Sequence, residues 1–160
     1  MNRELYYVQN PALGATAIRE FVAGYYKYDA KPIPFPLVFL VIPIVFKKDL
    51  VLLLNTTDTK KGLAKISEKI FKNNQNDTLY SINNLAIGMR EQTLDAFDIG
   101  LSARLYLLDK KTAMIYPTDN EIDAKKLVDK MDILKAANRL GCLCAQLNLL
   151  EISNLLKVRF

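Results

Sequence analysis

Tyr106-Leu-Leu-Asp-Lys-Lys-Thr-Ala-Met-Ile-Tyr116, closed by Pro117, decides the fold of this chain. Apolar residues at both ends flank a polar middle, so the stretch reads as strand, four-residue turn, strand, with proline ending the second strand. Immediately upstream, from Thr93, the apolar residues Leu94, Phe97, Leu101, Leu105 and Leu108 recur at helical spacing. A helix running into a small β-hairpin is the local pattern of a winged helix. The surrounding sequence is mostly helical in pattern, which sets the expected fold class: mainly α, a single compact helical domain with a small β-hairpin, winged-helix-like. A chain of 160 residues buries roughly 70% of its unfolded surface, enough for one core, so residues 1–160 are expected to form one domain.

Upstream of the hairpin, Asn10-Pro11 predicts a helix start, because Asn accepts from the free N–H groups of a first turn and Pro fits there without cost. The first helix is expected from Pro11 to about Tyr28, with Leu13, Ala17, Ile18, Phe21, Val22 and Tyr25 covering most of its circumference. Tyr6 to Val8 reads as a short strand. Asp29 to Phe35 is a Pro-containing connection, and Pro36 opens a buried segment running to Phe46 with Phe39 among its core side chains. A helix kinked or restarted near Pro43 is preferred there, a buried strand being the alternative. Asn55 to Thr59 reads as a polar loop, Lys60 to about Lys72 as a third helix, Asn73 to Asp77 as a polar break, and a further helical stretch from Thr78 bends near Gly88 to Gln92. Downstream, Thr118 to Glu121 has capping-box spacing and predicts a long helix from Asp123 to Leu149 with Ile133, Ala137, Leu140, Cys144 and Leu147 inward. Ile152 to Leu156 adds a turn, and Lys157 to Phe160 alternates like an edge strand.

Several function classes are disfavoured by what the sequence lacks. It has no histidine, which removes the usual general base, the Ser–His and Cys–His pairs and the commonest neutral metal ligand. It has neither a phosphate-binding Gly-rich loop ending in Lys nor a G-x-G-x-x-G stretch. Cys142 and Cys144 stand two apart in a predicted helix and point to different faces, which predicts reduced packing residues. Asp95 and Asp98 share a helical turn but read as surface charge. No catalytic, cofactor-binding or metal-ligating residue is therefore nominated, and no small-molecule substrate is expected. The charged start Met1-Asn-Arg-Glu4 lacks a signal-peptide core, and the Pro36–Phe46 run is too short to span a bilayer, so a cytoplasmic location without membrane contact is expected.

Binding residues can be nominated. There are 22 Lys plus Arg against 17 Asp plus Glu, a balance compatible with nucleic acid or an acidic protein. Lys61, Lys65, Lys69 and Lys72 on the third helix, with Lys110 and Lys111 at the hairpin tip, are the candidate nucleic-acid contacts; a solvated helix face and a polar turn are the plainer reading. The helix before the hairpin, which a winged-helix reader inserts into the major groove, carries Glu91, Asp95 and Asp98 against Arg90 and Arg104, a pattern that repels a duplex. Tyr25, Tyr26 and Tyr28 cannot all face one core. Tyr25 is assigned to packing, and Tyr26 and Tyr28 are the candidate protein interface.

Tyr7, Asn10-Pro11-Ala12, Gly24-Tyr25 at a helix end, Phe35-Pro36-Leu37 with Phe39-Leu40, and Pro43-Ile44 together resemble the opening of middle-component proteins of bacterial ABC three-component systems. Gly62-Leu63, Leu108-Asp109, Ile115 with Pro117, Arg139-Leu140-Gly141 and Val158 follow in matching order, so the resemblance covers nearly the whole chain. It departs where an aromatic pair is usual after Gly141, here Cys142-Leu143-Cys144, and at Leu156, where glycine is usual. The resemblance implies a non-catalytic adaptor that links an SMC-like or ABC-type ATPase, Lamassu-like in organisation, to an effector subunit in an anti-phage or anti-plasmid complex, any DNA contact being made through that complex. A free-standing winged-helix transcriptional regulator is the alternative.

Overall fold

The computed structural model describes residues 10–73, 77–120 and 122–160. The expected strand at Tyr6 to Val8 and Glu121 of the expected capping box lie outside them. In chain order the elements are α1 (Pro11–Asp29), β1 (Ile33–Pro34), α2 (Val38–Val45), α3 (Lys48–Thr56), α4 (Gly62–Asn73), α5 (Asp77–Gly88), α6 (Arg90–Ser102), β2 (Tyr106–Asp109), β3 (Met114–Pro117), α7 (Met131–Cys144) and α8 (Leu149–Leu156). The fold is mainly helical with a small antiparallel sheet, and one continuous apolar core runs from Leu13 in α1 to Val158 after α8.

α1 organises the rest. Asn10 caps it, its side chain accepting from the Leu13 N–H at 3.1 Å, with Pro11 in the first turn. Ala30, in the left-handed conformation at φ 50°, returns its N–H to the Tyr26 carbonyl at 2.8 Å and ends the helix. The most extensive helix pairing is α1 against α7. Its closeness rests on two reciprocal glycines. A Cβ at Gly24 would run into the Asn138 backbone carbonyl, and one at Gly141 into the Phe21 carbonyl. Gly24 therefore lies inside α1 rather than at its end; it is small because α7 passes there.

Arg139, beside that crossing, ties α7 to α3. Its Nε donates to the Leu54 carbonyl at 2.7 Å and an Nη donates to the Thr57 carbonyl, satisfying acceptors at the end of α3. Asn138 reaches across to Glu20, donating to its carboxylate at 3.3 Å, and Arg19 pairs with the same carboxylate at 2.6 Å.

The hairpin forms in the expected stretch with a four-residue turn; Tyr106 lies opposite Pro117 through Asp109 opposite Met114, so Asp109 belongs to β2 and the turn is Lys110 to Ala113. A third strand joins it. β1 pairs with β3, Ile33 opposite Ile115, giving the order β1-β3-β2. Two residues of Ile-Pro carry no periodicity to read, so this strand was hidden inside the expected connection. Tyr106, wholly buried, locks the hairpin to α6: its ring stacks on Phe97 with centroids 5.1 Å apart and its hydroxyl donates to the Phe97 carbonyl at 3.1 Å. Gly100 leaves the room for that ring. Burial raises the Tyr106 pKa, with the Asp98 charge adding to the shift.

Elsewhere the structure corrects the expected elements. Pro36–Phe46 is a 3₁₀ turn at Phe35–Leu37 followed by α2, helical as preferred, but Phe39 is half-buried rather than in the core. Asn55 and Thr56 belong to α3, not to a loop, because the Leu50, Val51 and Leu54 face holds that helix against the core. α6 ends at Ser102, so Leu105 and Leu108 do not extend its stripe. The expected helix from Asp123 to Leu149 is not continuous. Ala124–Lys130 is 3₁₀, broken at Leu127 (φ −122°), then come α7 and α8. Thr118 and Asn120 cap nothing there; both donate to the Arg104 carbonyl, at 2.7 and 2.9 Å. The capping box is instead Asn148 with Glu151, opening α8. Lys157 to Phe160 forms no strand, since Lys157 turns left-handed and Val158 tucks into the core.

Two mutational series check this packing. Gly24→Ala and Gly141→Ala should each cost about 3 kcal/mol in urea unfolding, because backbone rather than a movable side chain meets the new methyl. Gly88→Ala, with open space around it, should be neutral or stabilising by up to about 1 kcal/mol. Equal costs at all three sites would refute the close crossing. Tyr106→Phe should cost about 1 kcal/mol near neutral pH through the lost hydrogen bond. Because the folded pKa of Tyr106 is raised, its contribution is complete below the unfolded value near 10 and is lost as pH rises toward the folded value. The mutant should therefore show a shallower alkaline loss of stability than the wild type, and parallel alkaline limbs would contradict this.

Candidate functional site

The three tyrosines near the end of α1 separate by burial. Tyr25 is in the core with its ring centroid 6.3 Å from Phe21, and burial raises its pKa. Tyr26 is half-buried and packs against the core. Tyr28 is 54% exposed. It borders an open hollow of about 710 Å³ shared with Pro34, Leu37 and the α7–α8 corner, whose Leu150 is 69% exposed. The Asn148 capping box fixes that corner, so Leu150 is held in place by its own helix start. Lys31 and Asp29, paired with one another, border the same hollow.

The lysines are less free than their spacing implies. Lys65 and Lys72 both pair with Glu68, at 2.9 and 2.6 Å. Their hydrogen bonds, that of Lys72 first, hold the Glu68 pKa down at about 2. Lys69 donates to the Thr57 hydroxyl at 3.0 Å, and Lys61, in the 3₁₀ turn before α4, is exposed. Lys110 and Lys111 are exposed in the hairpin turn, where Asp109 accepts the Lys111 backbone N–H at 2.9 Å and the Thr112 hydroxyl at 2.8 Å. Those bonds lower the Asp109 pKa. The six lysines thus sit on three elements: Lys61 in the 3₁₀ turn, Lys65, Lys69 and Lys72 on α4, and Lys110 and Lys111 in the hairpin turn. On α6, Glu91, Asp95 and Asp98 are all exposed.

One surface was not nominated from the sequence. A groove of about 320 Å³ is lined by Phe35, Pro36 and Phe39, by Ile87 at the end of α5, and by Arg90 and Arg159. The available signal was the pair of phenylalanines four apart around Pro36, of which Phe35 was placed in the connection and Phe39 in the core. No group of three or more Cys, Asp or Glu side chains among the described residues is arranged to hold a metal ion. Burial pushes the Cys144 thiol up to about 12, so it is not a thiolate near neutral pH. No helix among the described residues is long and apolar enough to cross a membrane.

With the glycine crossing, the Arg139 tie and the aromatic grooves in view, the comparison with known families is decisive. The chain belongs to the ABC-three component (ABC-3C) system Middle Component 3 family, whose model matches residues 1–160. No curated protein and no solved structure matches it. It is accordingly an accessory component of a multi-component system that contains partner subunits.

The pairing of Glu68 generates a prediction about nucleic acid. The wild-type protein should bind duplex DNA weakly and without sequence preference, whereas Glu68→Gln, by releasing Lys65 and Lys72, should strengthen that binding a few-fold and steepen its salt dependence. Fluorescence anisotropy over a salt series measures both. Tight, sequence-selective binding by the wild type would instead mark a DNA reader.

Proposed function

We propose that this middle component is a non-catalytic adaptor, working in the cytoplasm, that holds an SMC-like or ABC-type ATPase and an effector in register within a complex directed against phage or plasmids. The observation that carries the reading is the exposure of Tyr28 and Leu150 together on one rigid corner of the molecule. Large apolar side chains held in fixed positions at the surface are what protein interfaces use as anchors. Tyr28 is the better anchor of the two tyrosines, since the ring of Tyr26 is already partly used in packing. In this reading the ATPase supplies DNA sensing and ATP turnover, and any DNA contact of this chain through Lys61, Lys65, Lys69, Lys72, Lys110 or Lys111 is secondary.

The strand order β1-β3-β2, with α6 leading into the hairpin, supports describing the module as winged-helix-like. The exposed carboxylates of α6 weigh against its use as a groove reader and hence against a transcriptional regulator. A hairpin-bearing helical module serves protein docking equally well.

Co-purification with the ATPase from the same operon tests the proposal. The complex should survive high salt and the triple reversal Lys61→Glu, Lys65→Glu, Lys69→Glu, while Tyr28→Ala should weaken it by about tenfold or more and Tyr26→Ala by less. A complex that dissolves at moderate salt, is abolished by the reversals and ignores Tyr28→Ala would make the contact electrostatic and the proposal wrong.

A further inference from the structure

We infer that the groove between Phe39 and Arg90 is a second docking site, and that its occupant is an apolar segment of a partner protein carrying acidic side chains. The site goes beyond the Tyr28 surface and rests on the adaptor reading only in taking its partner from the same system.

The floor of the groove is aromatic and fixed. Phe35 and Phe39 meet edge to face with centroids 5.5 Å apart, and Phe35 packs in turn on Phe97 of α6 at 5.1 Å. Phe97 is itself in the core. Ile87 at the end of α5 also lines the groove and is 66% exposed, an apolar side chain left to solvent. The segment after α8 completes the lining with Arg159 and Phe160. Val158 is buried; its N–H donates to the Ser153 carbonyl at 3.2 Å, and its own carbonyl accepts from the Ser153 hydroxyl at 2.6 Å. The next N–H, that of Arg159, donates to Asn83 Oδ1 of α5 at 3.1 Å. These bonds hold Arg159 and Phe160 against the groove rather than leaving them to fray.

Charge identifies the occupant. The Arg90 guanidinium lies 5.7 Å from the Phe39 ring centroid, held by a cation–π contact. Among the described residues neither Arg90 nor Arg159 forms an ion pair with a carboxylate. Two planar donor forks above an apolar floor match carboxylates set beside leucine or phenylalanine side chains. The volume, about 320 Å³, suits two or three side chains of an extended segment. A nucleic-acid backbone meets the same arginines, but the remaining lining of Phe35, Pro36, Phe39 and Ile87 is apolar and leaves its further phosphates without a partner.

Overlapping synthetic peptides tiling the other two components of the system, probed with the full-length chain, test the inference. The wild type should retain segments that combine leucine or phenylalanine with aspartate or glutamate. Retention should fall about tenfold when those acids are replaced by their amides, and by a similar factor in Arg90→Ala or Arg159→Ala. Arg90→Lys should lose part of it, because the charge remains without the fork. Lys135→Ala, an exposed cation on α7, should change nothing, and unchanged thermal melting of all variants shows that the fold is intact. Retention that ignores the arginine variants or the amide replacements, or capture of a single-stranded oligonucleotide that Arg90→Ala abolishes, would overturn the inference. So would an array with no retained segment while the three components still assemble. Failure of the components to assemble at all is the separate failure of the adaptor reading.

Discussion

Everything in this protein is arranged around the backbone-to-backbone approach of α1 and α7 at Gly24 and Gly141. Two helices this close gain dispersion along their whole shared length, but only if no Cβ stands between them. The residues beside the two glycines then use the proximity. Asn138 and Glu20 join the helices on one side, and Arg139 reaches on to close the end of α3. The run Arg139-Leu140-Gly141 is therefore one structural device: a cap for another helix, a core side chain and a clearance.

That crossing leaves the two faces of α1 with different tasks. In its first turn Gly14 lies against Ala96 of α6 and Ile42 of α2, so the helix is enclosed from its start. At its end it emerges from the core, and Tyr28 emerges with it. The hairpin is attached from the other direction through Tyr106, whose buried hydroxyl finds its acceptor on α6. Because α6 also backs Phe35 through Phe97, the same aromatic stack that seats the hairpin stiffens the floor of the second groove. The two candidate docking surfaces are thus built on rigid elements, which lowers the entropy lost on association.

The parts of the fold legible in the sequence were those governed by local rules. Asn10-Pro11 announces α1 because capping is a matter of a few adjacent atoms, and the polar turn between Tyr106 and Tyr116 announces the hairpin for the same reason. The breaks at Leu127 and Ala145 were not legible, since the apolar stripe from Ile133 to Leu147 continues in phase across the second of them. The capping-box spacing at Thr118 to Glu121 misled because Thr118 and Asn120 find a nearer acceptor in the Arg104 carbonyl, a tertiary contact. Of the candidate site, the exposure of Tyr28 followed from counting tyrosines against one core. The pairing of Lys65 and Lys72 with Glu68 was within reach of helical spacing. The Arg90 groove was not, because Arg159 comes to it from the far end of the chain.

Hydrogen–deuterium exchange of this chain, free and within the reconstituted three-component complex, tests the account most directly. Added protection is expected in two separate regions. One is the Tyr28 corner with the start of α8, and the other is the Phe35–Phe39 segment with the end of α5. The exposed face of α6 should exchange as in the free protein. Protection confined to α6 and the hairpin, and appearing only when DNA is added, would contradict it.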